Sequence, residues 1–513
     1  MGFQALQGID YITMLVYLVF TLGVGLYFGR RIKTDEDYFL AGRKLPWWAV
    51  GMSFVVSDIG AIDIVGIAGS AYLYGIVMGN YDWFGSVTIM IIAGFIFVPY
   101  FWRAKVYTVP EFLGKRYNLG VRTISALIWG TFLACNLGIM LYATAVMLNT
   151  MLGWSYGFSI WTAAIVIGLY TLIGGLAAVV YTDVIQCFVM FLGCSVALVI
   201  GLYHVGGIGG LVETVHGLGD QYQNHFSLIL PVDTETPHPW SGILFGLTLV
   251  LAPAYWIGNQ SMVQRAFGAR SEFEVKAAFI WGSILKAFIP IIMVVPGIIA
   301  LAHNPNIPAD QADSALPQLI RDILPAGLLG IFFASFLAAF MSSVDSSLNS
   351  AATLWTKDVY QRLIQPDRTE RHYLLVGRLL TIVFIAWGIY FAYWIQDKSA
   401  SIYSAIQTML SLFQGPHIAV ILLGILWWRT TGKAALIGLI CGLLTSSGLL
   451  LIHNYASEPL FKIEEPFLYI ALWSFVVTMV LTVILSYLTP PEPREKLEGL
   501  VYKYTVKTAE EVQ

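Results

Sequence analysis

The chain has 513 residues, of which 58% are hydrophobic and 12% are charged, and its formal net charge is −3. Soluble globular domains carry about 25% charged residues, so this composition excludes an ordinary soluble protein. The net charge is too small to indicate a charged partner, and we expect no nucleic-acid partner. All four cysteines lie in apolar runs, where we expect them to pack as small core residues without a disulfide framework.

Apolar runs long enough to cross ~30 Å of hydrocarbon recur along nearly the whole chain. We therefore predict an all-α polytopic membrane protein, a single domain over residues 1–513 that lies in the lipid bilayer. The thirteen predicted transmembrane helices cover residues 11–29, 48–76, 80–102, 121–150, 158–176, 178–203, 241–267, 274–302, 325–357, 373–396, 401–428, 433–453 and 467–489. A short polar segment, 490–513, follows as a solvated cytoplasmic tail.

The basic residues orient these helices, because Lys and Arg favour cytoplasmic loops. With the N-terminus outside, the 28 Lys and Arg fall in inner segments apart from Arg321, Lys398, Lys462 and Lys286. This alternation predicts a multi-pass protein of the plasma membrane, or of the inner membrane in a bacterium, with a cytoplasmic C-terminus.

The second predicted helix contains "SDIGAIDIVG", which places Asp58 and Asp63 five residues apart in an apolar stretch. A charge near the bilayer centre costs ~2.5–3.5 kcal/mol on insertion scales. Polar and ionisable residues inside a membrane therefore indicate a functional site, and Gly60 between them weakens the helix further. We predict that this helix is broken.

A second predicted interruption lies about 190 residues later, in "LAPAYWIGNQ", where Pro253 removes a backbone donor and Gly258 loosens the same turn. Interrupted helices in corresponding positions of two halves indicate the binding site of a secondary transporter, although two unrelated kinks would give the same pattern. We predict inverted repeats at 48–203 and 241–428, with a leading helix at 11–29 and two trailing helices over 433–489.

The ninth predicted helix carries "AAFMSSVDSSLNS" (338–350), with five polar residues on one broad face. Hydroxyl and carbonyl oxygens suit a hard monovalent cation. A single serine in a membrane helix commonly bonds back to the carbonyl four residues earlier, but five polar residues facing a broken helix favour a cation site.

Lys286 lies in the middle of "FIWGSILKAFIPIIMVV", about ten residues from either end of its predicted helix. A lysine near a helix end can extend its charge to the membrane surface. The central position of Lys286 instead favours a polar cavity or an ion pair.

Six stretches together resemble the sodium:solute symporter family, the group of the sodium–glucose cotransporters, over about residues 10–430. They are "DYFLAGRKLPWWAVG" (37–51), "NYDWFGS" (80–86), "YTVPEFLGKRYN" (107–118), "YTDVIQ" (181–186), "NQSMVQRAFGAR" (259–270) and "MSSVDSSLNSAATLWTKDVY" (341–360). The resemblance implies the five-plus-five inverted repeat of the leucine-transporter-like fold, with sodium (Na+) as the coupling ion.

The resemblance also implies which residues bind cations. Carbonyls of the first broken helix, a carbonyl of the serine helix and two hydroxyls would form one sodium site, here at Val56, Ile59, Ala339, Ser342 and Ser343. Some family members have a second site, which maps to Asp183, Asp345 and Ser346. Many relatives have a hydroxyl in place of Asp345, and two carboxylates at one site raise one pKa, so this second site could take a proton instead of, or beside, sodium.

The sugar-carrying branch implies a substrate site of hydrogen-bonding side chains around aromatic rings. The matching residues are Asp82, Trp83, Tyr255, Trp256, Lys286 and Gln407. This chain departs from that branch at Asp58 and Asp63, where sugar carriers have uncharged side chains. We expect one aspartate to face the substrate and the other to hold the helix break open, or alternatively Asp58 simply to pair with Lys286.

These features predict a sodium-driven symporter that imports a monosaccharide or a polyol by alternating access. An amino acid or a carboxylate as the solute, or a substrate-gated sensor on the same fold, are the alternatives. The sequence contains no recognisable nucleotide-binding loop or catalytic triad, so we expect neither an enzyme nor a primary pump. It indicates no obligate protein partner.

Overall fold

The computed structural model describes residues 7–30, 34–60, 63–234, 236–396, 402–456, 460–461, 463 and 465–504. Helices are the regular elements of this part of the chain. The long ones are α1 (Gly8–Gly29), α2 (Trp47–Asp58), α3 (Asp63–Gly79), α4 (Tyr81–Arg103), α5 (Leu119–Leu152), α6 (Tyr156–His204), α7 (Gly242–Gly258), α8 (Gln260–Phe267), α9 (Glu272–His303), α10 (Leu328–Ile364), α11 (Glu370–Gln396), α12 (Ile402–Leu426), α13 (Gly432–Tyr455) and α14 (Phe467–Leu488).

These helices agree with the predicted spans. In the described residues, ten helices are long and apolar enough to cross a membrane, and two bent pairs raise the number to twelve. The bent pairs are α2 with α3, at 60°, and α7 with α8, at 48°. A shorter apolar helix, Tyr156–Val166, matches the remaining prediction. Both interruptions inferred from the sequence are therefore present as bends.

Packing places the two broken helices beside the serine helix. Helix α10 packs most extensively against α6, and α2 packs against α6, α9 and α10. Helix α8 packs against both α2 and α10. In contrast, α1 has a largely exposed apolar surface, which is the surface expected of a helix in contact with lipid. The breaks consequently lie inside the bundle.

The predicted helices 158–176 and 178–203 form the two arms of α6, and the turn between them lies at Gly175, beside the predicted boundary. The backbone of Gly175 has φ 51° and ψ −165°, a conformation that glycine adopts readily because it lacks a Cβ. A Cβ there would lie 2.6 Å from the Tyr38 carbonyl oxygen. The turn thus brings the α6 backbone directly against the segment before α2.

The tail predicted as solvated is partly packed. Residues 505–513 of the predicted tail lie outside the described residues, but a short helix, Arg494–Leu497, precedes them. Leu497 and Val501 are buried, and Lys496 Nζ donates to the Tyr117 carbonyl at 2.6 Å. The first part of the tail therefore packs against one end of the bundle, because its apolar residues have a surface to bury against.

We predict that Gly175→Ala lowers stability, since the new Cβ meets the Tyr38 carbonyl and the backbone conformation disfavours a side chain. The expected cost is about 1–3 kcal/mol, measured as a lower melting temperature in detergent. Gly23→Ala in α1 is the control, because a Cβ there meets nothing within 4 Å. Equal melting temperatures for the two variants would contradict this account of the turn.

Candidate functional site

The first helix break exposes backbone groups that a continuous helix would pair. Helix α2 ends at Asp58, and Ile59 has non-helical angles, φ −97° and ψ 95°. Gly60 N–H donates to Asp63 Oδ2 at 2.8 Å, whereas in a continuous helix it would donate to the Val56 carbonyl one turn earlier. The carbonyl groups at this end of α2 are thus available to a cation, and Asp63 stabilises the break.

The serine helix meets α2 at this break. Ser343 Oγ donates to the carbonyl oxygens of Ser57, at 3.1 Å, and of Ala339, at 3.0 Å. A Cβ on Gly60 would lie 3.0 Å from Ser343 Oγ, so the hydroxyl lies directly against the break. The predicted sodium residues are all buried here: Val56, Ile59, Ala339, Ser342 and Ser343.

The oxygens at the break suit a small monovalent cation. They are neutral carbonyl and hydroxyl groups, which bind hard cations with modest charge. Among the described residues, no group of three or more His, Cys, Asp or Glu side chains is arranged to hold a metal ion. The donor set at the break therefore fits sodium, carried as a transported ion, better than it fits a resident metal.

Asp183, predicted for a second cation site, is the centre of a buried hydroxyl cluster. It accepts hydrogen bonds from Ser342 Oγ at 2.5 Å, from Ser57 Oγ at 3.1 Å and from Ser53 Oγ. Ser53 and Ser57 were not predicted, although their spacing of four places them on one helix face. Asp183 thus joins α6 to α2 and α10.

A buried arginine accompanies this cluster. Arg265 Nε lies 3.8 Å from Asp183 Oδ2 and donates to Ser53 Oγ at 2.6 Å. Its guanidinium also donates to Ser346 Oγ, and Ser346 Oγ lies 3.2 Å from Asp345 Oδ1. Arg265 was predicted among the inner basic residues, but it lies in α8 and is buried, so it does not contribute to a charged loop.

A cavity of about 150 Å³ lies beside the break. Its walls include every residue predicted for the substrate site except Trp83, namely Asp58, Asp63, Asp82, Tyr255, Trp256, Lys286 and Gln407. Asn136 on α5 and Gln414 on α12 also line it. These two were not predicted, because the polar residues of α5 and α12 are spread along their helices and do not cluster as they do in the serine helix.

Lys286 is paired inside this cavity. Its ammonium donates to Asp82 Oδ1 at 2.6 Å and forms an ion pair with Asp58 Oδ2. Two predictions for Lys286 were an ion pair with Asp58 and a place in a polar cavity. Both are present, because the pair lies within the cavity. Because Asp63 bonds to the Gly60 backbone, the two aspartates occupy different positions: Asp58 faces Lys286, and Asp63 faces the break.

Trp83 occupies a different place from the one expected. Its indole N–H donates to the Ala287 carbonyl at 3.0 Å. Its ring also packs closely against Gly79, since a Cβ on that glycine would lie 2.7 Å from a ring carbon. Trp83 therefore connects α4 to α9 instead of lining the cavity. The aromatic residues at the cavity wall include Tyr255 and Trp256, whose ring centroids are 5.6 Å apart.

The segment between α6 and α7 contacts the start of α4, beside the cavity. Asn80 Nδ2 donates to the Leu228 carbonyl at 2.7 Å, and the Tyr81 hydroxyl lies 3.3 Å from His238 Nδ1. Tyr81 itself lines the cavity. His238 is 2% exposed, and this burial lowers its pKa to about 3, since a charged imidazolium is disfavoured away from water.

The chain is similar in sequence to known transporters. Residues 38–442 match the sequence profile of the sodium:solute symporter family. A sodium/glucose cotransporter of Vibrio parahaemolyticus is 35% identical over 86% of this chain and 84% of its own. A sodium/myo-inositol cotransporter 2 of Sus scrofa is 30% identical, over 97% of this chain and 79% of its own.

A solved structure shares the architecture. It is a substrate-bound, outward-open Na+-coupled sialic acid symporter, with a TM-score of 0.82 and 25% sequence identity. The likeness covers 94% of this chain and 99% of the solved chain. It confirms the predicted all-helical, leucine-transporter-like fold class.

We predict that Ser343→Ala weakens sodium binding roughly tenfold, because a hydrogen bond or contact from a neutral group to a charge is worth about 1.5–3 kcal/mol. A sodium titration of the purified protein, followed by intrinsic tryptophan fluorescence, measures the shift. Ser335→Ala is the matched control, since this hydroxyl on the same helix bonds to the Val189 and Ile331 carbonyls. Equal sodium affinity in both variants would refute the assignment of Ser343.

We also predict that His238 makes the protein acid-sensitive. Its folded-state pKa, about 3, lies below the ordinary value of about 6.5. Between these values the unfolded chain binds the extra proton, so stability falls as the pH falls, by up to about 2 kcal/mol at pH 5. Melting temperatures at pH 7 and pH 5 should therefore differ less for His238→Gln than for the wild type, and an unchanged difference would argue against this cause.

Proposed function

The chain belongs to the sodium:solute symporter family, and from this premise we propose that it imports a monosaccharide or a polyol together with sodium. The observation that carries the proposal is the adjacency of two sites. Ser343 lies against the helix break, and Asp58, the last residue of α2, pairs with Lys286 in the cavity. A cation at the break and a solute in the cavity would therefore share one helix end.

The chemistry of the cavity supports a hydroxylated solute. Carboxylates accept hydrogen bonds from hydroxyl groups, an ammonium donates to them, and amides do both. Aromatic walls offer apolar faces to the C–H surface of a ring. Relatives named for glucose and for myo-inositol transport support the same class of solute for this chain.

Coupling follows from the positions of the sodium residues. A sodium ion held by α2 carbonyls and α10 hydroxyls would connect these helices and stabilise one arrangement of the break. Solute binding would then favour closure of Tyr255 over the cavity, and loss of sodium to a low-sodium cytoplasm would release both. The proposed orientation has the N-terminus outside and the C-terminus in the cytoplasm.

Transport and sensing differ in one measurable outcome. A symporter accumulates solute against its gradient, whereas a substrate-gated sensor binds solute without accumulating it. Members of the family are transporters, and we propose that this chain likewise performs no catalysis. The lipid bilayer is its proposed environment, and it needs no obligate protein partner.

The test is uptake of labelled glucose and myo-inositol into proteoliposomes of the full chain. We expect accumulation with an inward sodium gradient and none when potassium replaces sodium. Lys286→Ala and the milder Gln407→Ala should reduce uptake at least about tenfold, while sodium binding persists, since each removes a cavity group that a ligand needs.

The matched control is Lys276→Ala, which removes a lysine from the same helix. Lys276 pairs with Glu272 near the start of α9, at 2.7 Å, and its side chain is 34% exposed. Uptake should be unaffected. Normal uptake by the Lys286 and Gln407 variants, or accumulation that is independent of sodium, would overturn the proposal.

A further inference from the structure

The charges that line the cavity do not balance. Three carboxylates, from Asp58, Asp63 and Asp82, face one ammonium, from Lys286. In their ionised forms these side chains leave a surplus of two negative charges, or of one when a sodium ion is bound at the break. A buried charge without a partner is costly, so the cavity favours a ligand that supplies a positive charge.

Nearby basic groups do not remove this surplus. Lys286 is shared between Asp58 and Asp82, and Asp63 receives the uncharged Gly60 N–H. The guanidinium of Arg265 lies with Asp183 and the serine cluster. Among the described residues that line the cavity, Lys286 is the sole Lys, Arg or His.

Two buried amide groups indicate that the same ligand carries hydroxyl groups. Asn136 Oδ1 and Gln414 Nε2 are buried at the cavity wall, and neither has a hydrogen-bond partner among the described residues. The two side chains are 9% and 1% exposed. An unpaired buried polar group costs about 1–3 kcal/mol, which a ligand hydroxyl would recover because it both donates and accepts.

The size of the cavity suits a small ligand. Its volume is about 150 Å³, which is consistent with a solute of one ring.

We propose that the preferred substrate is a ring-sized polyol carrying one protonated amine, an amino sugar or an aminocyclitol, and that acidic sugars are rejected. This inference rests on the proposed function and narrows it. The amine would lie against Asp82 and Asp58, and the ring hydroxyls would bond to Asn136 and Gln414. The carboxylate of an acidic sugar would be repelled by the surplus of negative charge. It would also find no free cation among the described residues of the cavity wall, because Lys286 is already paired with Asp58 and Asp82.

Four pyranoses test the proposal by calorimetry with the full chain in saturating sodium. Glucosamine should bind at least about tenfold more tightly than glucose, a difference of ~1.4 kcal/mol. N-acetylglucosamine, which keeps the nitrogen but loses its charge, should show no such advantage. Glucuronate should show no measurable binding.

Asp82→Asn removes one carboxylate and leaves the pair between Lys286 and Asp58, so the variant should fold. In it, the preference for glucosamine over glucose should fall by about tenfold. Asp322→Asn is the control, because Asp322 pairs with His303 and Arg321 away from the cavity and should leave the preference unchanged.

The outcomes separate the two proposals. Equal or tighter binding of glucose, or binding of glucuronate, overturns the preference for an amine while sodium-coupled sugar uptake stands. An unchanged preference in Asp82→Asn overturns the role of the cavity charge. Failure of every sugar and polyol to bind or accumulate in sodium overturns the proposed function itself.

Discussion

The break between α2 and α3 is the constraint around which the rest of the bundle is organised. Away from water, a helix that stops in mid-membrane leaves backbone donors and acceptors that must find other partners. Here Asp63 accepts from Gly60 N–H, and Ser343 donates to the Ser57 carbonyl. Side chains from α3 and α10 thus replace the missing helical bonds, and this replacement creates an oxygen-rich pocket that a continuous helix could not form.

Buried charges link the helices that surround the break. Lys286 on α9 connects Asp58 on α2 with Asp82 on α4, and Arg265 on α8 connects Asp183 on α6 with the serines. Because breaking such a pair leaves a buried charge uncompensated, the pairs constrain how these helices can separate. These ion pairs contribute little net stability, because burying their charges is costly. Their main effect is to fix the orientation of the helices that carry them.

The sequence predicted the spans well because hydropathy and length determine them, and it predicted both bends because Gly60, Gly258 and the aspartates are local signals. Pro253, also taken as a signal, lies inside α7 with helical angles, and the second bend lies at Asn259. It also placed a helix boundary beside the turn at Gly175, but it could not predict the close approach to the Tyr38 carbonyl, which is distant in sequence. The burial of Arg265 and the displacement of Trp83 from the cavity likewise depend on partners that tertiary packing supplies.

The packed start of the tail has a mechanical consequence. Lys496 bonds to the Tyr117 carbonyl, Glu492 accepts from Gly432 N–H, and Arg116 donates to the Gly424 carbonyl at the end of α12. These contacts connect one end of α12 and α13 to the segment before α5. A spectroscopic label at this connected end would provide a reference position, from which a displacement of α2 and α8 could be measured as a change of distance.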